Sequence, residues 1–180
     1  LVMKLTLLYL KTGGGHLSTA QSIADEFAEG YGKEVEAVMV DCLDQSSTTF
    51  RKFIEDGYSI STNQLPSLWK GIYAASSIKS VMSLETAGFS WMVKKHIREH
   101  ILKDKPDKIV ILHFLLVKPV LDILAEEKLK IPTIIITTDP FTPPRIWFVR
   151  KDAKFVVFSE KAKKYAEEKV RLNKLGKPQN

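Results

Sequence analysis

Five short apolar runs, each followed by a polar or amphipathic stretch, constrain this chain more than any other feature. They are "KLTLLYL" (4–10), "VEAVMVD" (35–41), "DKIVILHF" (107–114), "PTIIITT" (132–138) and "KFVVFS" (154–159). Each has strand length, and most are apolar throughout rather than alternating, as in strands buried on both faces. Between them the period changes. Leu17, Ala20, Ile23, Ala24, Phe27 and Ala28 recur three and four apart, one face of a helix, and Gly30 and Gly32 stop it. Further helices are predicted near 117–129 and over 160–175, and residues 48–105 read as a long, mostly helical insertion between the second and third strands. Such alternation predicts an α/β, Rossmann-like parallel sheet of about five strands with helices on both faces and right-handed crossovers. The 180 residues suffice for a single domain spanning 1–180.

In sheets of this kind ligands bind beyond the carboxyl ends of the strands, near the point where the strand order reverses. The residues to weigh are therefore Lys11 to His16, Asp41 and Cys42, His113 and Phe114, and Asp139 to Trp147. Gly13, Gly14 and Gly15 follow a strand and open a helix. Bare backbone there can aim amide N–H groups at an anion, and the helix start adds about half a positive charge. Ser18 and Thr19 offer hydroxyls in the first turn. The same glycines would also serve a plain tight turn. No Gly-Lys-Ser/Thr follows, so this is not a Walker loop, and the dinucleotide fingerprint is half met, with Ser18 in the place of its last glycine and Asp41 somewhat far along for its ribose acid. His16 comes next. A helix start disfavours an imidazolium, so its pKa is expected to fall, which suits a neutral base that takes a proton from a hydroxyl. A histidine that merely caps or packs is the plainer alternative.

Lys and Arg outnumber Asp and Glu 27 to 21, a net charge of +6. That balance favours anionic partners, and no stretch reads as a nucleic-acid module, so none is expected. The single cysteine, Cys42, forms no intrachain disulfide and is expected to be buried and inert. No apolar run approaches the roughly 18 residues of a membrane span. In the insertion, Trp69 and other large apolar residues interleave with Lys70, Lys79, Lys94 and Lys95, a pattern suited to an interfacial helix on an anionic membrane. The expected location is cytoplasmic and peripheral at the membrane. "HIREH" (96–100) has the His-x-x-Glu-His form of some zinc peptidases, and His96 and His100 lie one turn apart. Lys94, Lys95 and Arg98 crowd that stretch with positive charge, which leaves zinc peptidase a remote alternative and no metal the expectation.

"TGGGHLSTAQSIADEF" resembles the opening loop and helix of the monogalactosyldiacylglycerol synthase family, within glycosyltransferase family 28. "NQLPSLWKGIYAAS" (63–76), "LHFLLVKPVLDIL" (112–124), "ITTDPFTPPRIWF" (136–148) and "FVVFSEKAKKYA" (155–166) are similar to later family stretches in order and spacing, with Phe114 where the family usually has proline. The resemblance implies one half of a two-domain GT-B fold. This chain would be the amino-terminal, acceptor-side domain, with the carboxy-terminal nucleotide-sugar domain absent from it and the chain alone inactive. The implied reaction moves a hexose from a UDP-sugar, a co-substrate rather than a cofactor, to diacylglycerol or a related lipid. His16 would be the base. Asp139 would orient the base or the acceptor. Gly13, Gly14, Gly15 and Ser18 would line the loop near the donor diphosphate or an acceptor anion. Trp69, Trp147 and His113 would contact the acceptor or the membrane. A non-catalytic lipid- or nucleotide-binding module is the alternative.

Overall fold

The computed structural model describes residues 2–11, 14–43, 93–139, 143, 145–148 and 153–174; Gly13, Trp69, Lys70, Lys79 and most of the 48–105 insertion lie outside them. Five strands, β1 (Met3–Tyr9), β2 (Val35–Asp41), β3 (Lys108–Ile111), β4 (Thr133–Ile136) and β5 (Lys154–Val156), form one sheet in the order β2-β1-β3-β4-β5. Every neighbouring pair is parallel. The helices are α1 (Gly14–Tyr31), α2 (residues 93–104), α3 (Phe114–Glu126) and α4 (Glu160–Lys174), with a single turn of 3-10 helix over Arg145–Phe148. The predicted Rossmann-like α/β sheet is the observed one.

Side-chain alternation along the strands divides the core into two layers. Leu5 and Leu7 of β1, with Val110 and Leu112, pack against Ala20, Ile23 and Phe27 of α1. Leu8, Ile109, Ile111 and Ile135 point the other way, into a larger cluster with Ile97 of α2 and Leu116, Val120 and Ile123 of α3. Burying each such Leu or Ile is worth about 1.5–3 kcal/mol relative to leaving it in water. Trp147 and Phe148 join this second layer and are fully buried. Outside it, Lys94 of α2 meets Glu126 of α3 at 2.5 Å, and Arg98 pairs with the same carboxylate. Lys94, expected to be available to an anionic surface, is thus already compensated within the fold, as is Arg98.

The strand order reverses between β1 and β3. From β1 the chain passes through α1 to β2 on one side, then returns past β1 to β3 and proceeds outward to β4 and β5. The loops leaving β1 and β3 therefore diverge to opposite faces, and in sheets of this kind that divergence marks a crevice above their carboxyl ends.

Several boundaries differ from those expected. β4 ends at Ile136 and β5 at Val156, both short of the ends of their apolar runs, and α1 continues through Gly30 to Tyr31. Two further differences lie beside this crevice. The predicted helix over Leu17–Ala28 begins earlier, with Gly14 and Gly15 already helical. Ala28, expected on its apolar face, is exposed. The third strand ends at Ile111 rather than running to Phe114, and α3 starts at Phe114 rather than near 117. The cause is His113. Its backbone is extended, with φ −146° and ψ 134°, and its Nδ1 accepts the N–H of Leu115 at 3.2 Å, so an imidazole takes the N-cap place usually held by Ser, Thr, Asp or Asn. At the other end of α1, Gly32 is required by space: a Cβ there would stand 2.5 Å from the carbonyl oxygen of Ala28.

Candidate functional site

The crevice brings together residues from the ends of β1, β3 and β4. His16, third residue of α1, places Nδ1 2.7 Å from the carbonyl oxygen of Leu112, just beyond β3. A carbonyl only accepts, so Nδ1 carries the proton and donates it. The neutral ring then keeps its lone pair on Nε2. The hydroxyl oxygen of Thr138, beyond β4, lies 3.0 Å from the same Nδ1. Since the proton is on the nitrogen, Thr138 Oγ1 is a second acceptor. The His16 ring also stands 4.3 Å, centroid to centroid, from that of His113.

His113 has the opposite tautomer. Its Nδ1 accepts from Leu115 N–H, so its proton sits on Nε2. It is buried, and burial, helped by the neighbouring His16, holds its pKa well below 6.5. His16 is half-buried, and its pKa is also lowered. The direction is the one expected from the sequence, but the leading cause is burial; the Leu112 carbonyl and the charge of Asp139 draw it partly back. Both imidazoles are therefore neutral near pH 7.

Asp139 does not bond to His16. Its Oδ2 accepts the indole N–H of Trp147 at 2.7 Å, so its influence on His16 is through space. Trp147, expected at the acceptor or the membrane, is fully buried and packs edge-on against Phe114 at 5.8 Å. His113, expected at the same place, is buried as well. The His113 ring stands beside His16, and Trp147 reaches the same region through Asp139 and Phe114.

Above the first turn of α1 a Cβ built on Gly15 meets nothing within 4 Å among the described residues, which leave this face open. The hydroxyls of Ser18 and Thr19, expected to donate to a ligand, instead donate to the Gly15 carbonyl at 3.1 and 2.8 Å, which leaves their oxygens as acceptors. An apolar groove of about 490 Å³ starts at these two residues and passes Ile23 and Phe27 toward Ile136, Val156 and Phe158. Asp41 ties two loops together, accepting from Leu43 N–H at 3.0 Å and Lys11 N–H at 3.4 Å. Cys42 is buried, and its thiol pKa is driven far up by burial, in keeping with an inert side chain.

The His-x-x-Glu-His stretch has other work on α2. His100 Nδ1 meets Asp104 at 2.5 Å, and His96 packs on His100 edge-on at 5.3 Å. Among the described residues no three His, Cys, Asp or Glu side chains gather as a metal site. No helix among them is long and apolar enough to cross a membrane. Leu112 and Thr138, the direct partners of His16, were missed by sequence reasoning. A backbone carbonyl has no sequence signature, and Thr138 stood one place before the residue that drew attention.

Comparison with known proteins agrees with this architecture. The family model described as monogalactosyldiacylglycerol (MGDG) synthase matches residues 16–175. Monogalactosyldiacylglycerol synthase 1, chloroplastic, of Arabidopsis thaliana is 28% identical over 148 residues, covering 81% of this chain and 27% of that protein. The probable chloroplastic enzyme of Nicotiana tabacum is 26% identical over 147 residues, again 81% of this chain and 27% of the relative. The Spinacia oleracea enzyme is 26% identical over 147 residues, 81% and 28% of the two chains. The chain thus spans little more than a quarter of the length of the curated relatives it matches.

Proposed function

The chain belongs to the monogalactosyldiacylglycerol synthase family, and from that premise we propose that it is the acceptor-side domain of a glycolipid synthase. The complete enzyme would transfer a hexose from a UDP-sugar to diacylglycerol at a membrane surface. The observation that carries the reading is the tautomer of His16. A buried-side carbonyl holds Nδ1–H, so Nε2 is an unprotonated base, and it sits where the strand order reverses and a helix begins.

In this reading His16 Nε2 takes the proton of the acceptor's primary hydroxyl as the oxygen attacks the anomeric carbon of the donor. The new carbon–oxygen bond forms, the bond from that carbon to the diphosphate breaks, and UDP leaves with the bonding pair. The proton stays on the imidazolium until it passes to phosphate or water. The through-space charge of Asp139 favours that cation. The α1 start, with its open face above Gly15, favours the negative charge of the donor diphosphate or of an acceptor group. Acyl chains would lie along the apolar groove that begins within a turn of His16. The UDP-sugar enters as a co-substrate, and the net charge of +6 supports attraction to an anionic membrane.

The test is transfer by the full-length protein from a labelled UDP-hexose to diacylglycerol in anionic vesicles. A labelled glycolipid with equimolar UDP is expected. Release of free hexose, or transfer only to water-soluble alcohols, would overturn the proposed acceptor.

A further inference from the structure

We propose that Thr138 is a positioning residue that, together with the Leu112 carbonyl, fixes the tautomer and ring orientation of His16. The proposal rests on the reading of His16 as the base. It also makes a claim about the ring itself that can be read without turnover.

Three consecutive side chains at the end of β4 each have a separate partner. Thr137 is buried, and both its N–H and its hydroxyl reach the carbonyl of Val156, at 3.1 and 3.3 Å, pinning the turn to β5. Asp139 is pinned on the other side by the Trp147 indole at 2.7 Å. Thr138, between two anchored neighbours, presents its hydroxyl oxygen to His16 Nδ1 at 3.0 Å across 122 residues of sequence. Leu112 reaches the same proton from the end of β3, 96 residues away from His16. The ring is thus held from two different strands, and both acceptors act on Nδ1–H. An acceptor at that nitrogen favours the tautomer with a bare Nε2, and it favours the imidazolium still more, because hydrogen bonds from charged donors are the stronger ones.

The side chain types matter. Valine has nearly the shape of threonine and no acceptor; serine keeps the acceptor and loses a methyl group. Imidazole ¹⁵N spectra of the full-length protein, labelled at histidine and titrated with pH, should be recorded for the wild type, Thr138→Val and Thr138→Ser. In Thr138→Val the share of His16 protonated on Nε2 should rise by about two- to tenfold, the range one modest hydrogen bond allows, and the His16 titration should move toward lower pH. Thr138→Ser should restore both. A Thr138→Val protein whose His16 keeps the wild-type tautomer and titration overturns the proposal, as does a shift that Thr138→Ser shares.

Turnover separates this idea from the one it rests on. If His16 is the base, Thr138→Val should lower kcat by a similar two- to tenfold factor with KM held. Should His16→Ala leave turnover intact while Thr138→Val still shifts the ring, the positioning stands and the catalytic reading of His16 fails.

Discussion

Replacing His113 by alanine and, separately, by serine separates the two jobs of this side chain. Its Nδ1 caps α3 by accepting Leu115 N–H, and its ring lies 4.3 Å from His16 and 4.5 Å from Phe114. Both replacements remove the ring and leave cavities of nearly equal size. Phe or Trp to Ala costs about 3–5 kcal/mol in a core, so the smaller imidazole should cost about 2–3 kcal/mol in either variant. Serine alone can still accept a first-turn amide, so alanine should be the less stable of the two by about 1 kcal/mol. A pH effect accompanies this. Burial holds the folded pKa of His113 well below 6.5, while the unfolded chain takes up the proton near that value. The unfolded state then binds more protons on the acid side, so wild-type stability falls as pH drops below about 6.5. Both variants lack that loss. The assay is urea unfolding of the full-length protein at about pH 8 and about pH 5.5, either side of the free histidine value. Equal stability of the serine and alanine proteins would refute the cap. An acid-side slope as steep in the variants as in the wild type would refute the buried neutral imidazole.

Two other substitutions test neighbouring parts of the site. Trp147→Phe keeps an aromatic ring in the core but removes the donor to Asp139, a bond to a charged group, so denaturant unfolding should show a loss of about 1.5–3 kcal/mol; a loss under about 0.5 would remove that bond from the account. Gly15→Ala meets no atom of the described residues within 4 Å and adds helix propensity, so the protein should fold with stability unchanged or raised by up to about 1 kcal/mol. Its methyl group would nevertheless occupy the open face above α1, and kcat/KM for the UDP-sugar should fall. A stable Gly15→Ala protein with wild-type kcat/KM would take Gly15 out of the binding surface.

The sheet was legible because its strands are short apolar runs separated by helical periodicity. The second strand, Val35–Asp41, falls on the bounds read from the sequence, with Gly32 shortly before it and the charged Asp41 closing it. The run through His113 and Phe114 misled because apolar character alone does not say where a buried strand yields to a buried helix. Histidine is an uncommon cap, and its capping depends on a backbone conformation that composition does not reveal. His16 stood out by its place after the glycines. Its partners did not, because Leu112 contributes only a carbonyl and Thr138 becomes a neighbour only when β1, β3 and β4 align. Asp139 and Trp147 were both noticed, but their bond to each other follows from the 3-10 turn that folds the indole back over the β4 end. Gly13, Trp69 and the interleaved Lys70 and Lys79 lie outside the described residues.

The account depends on His16 as an uncharged base, and turnover by the full-length enzyme with and without that imidazole tests it most directly. With UDP-hexose and diacylglycerol as substrates, His16→Ala should lose about 10²–10⁴-fold in kcat. Wild-type kcat should fall on the acid side with an apparent pKa below 6.5, in the direction that burial moves this ring. A His16→Ala enzyme that turns over within a few-fold of the wild type, with the same acid limb, contradicts the account.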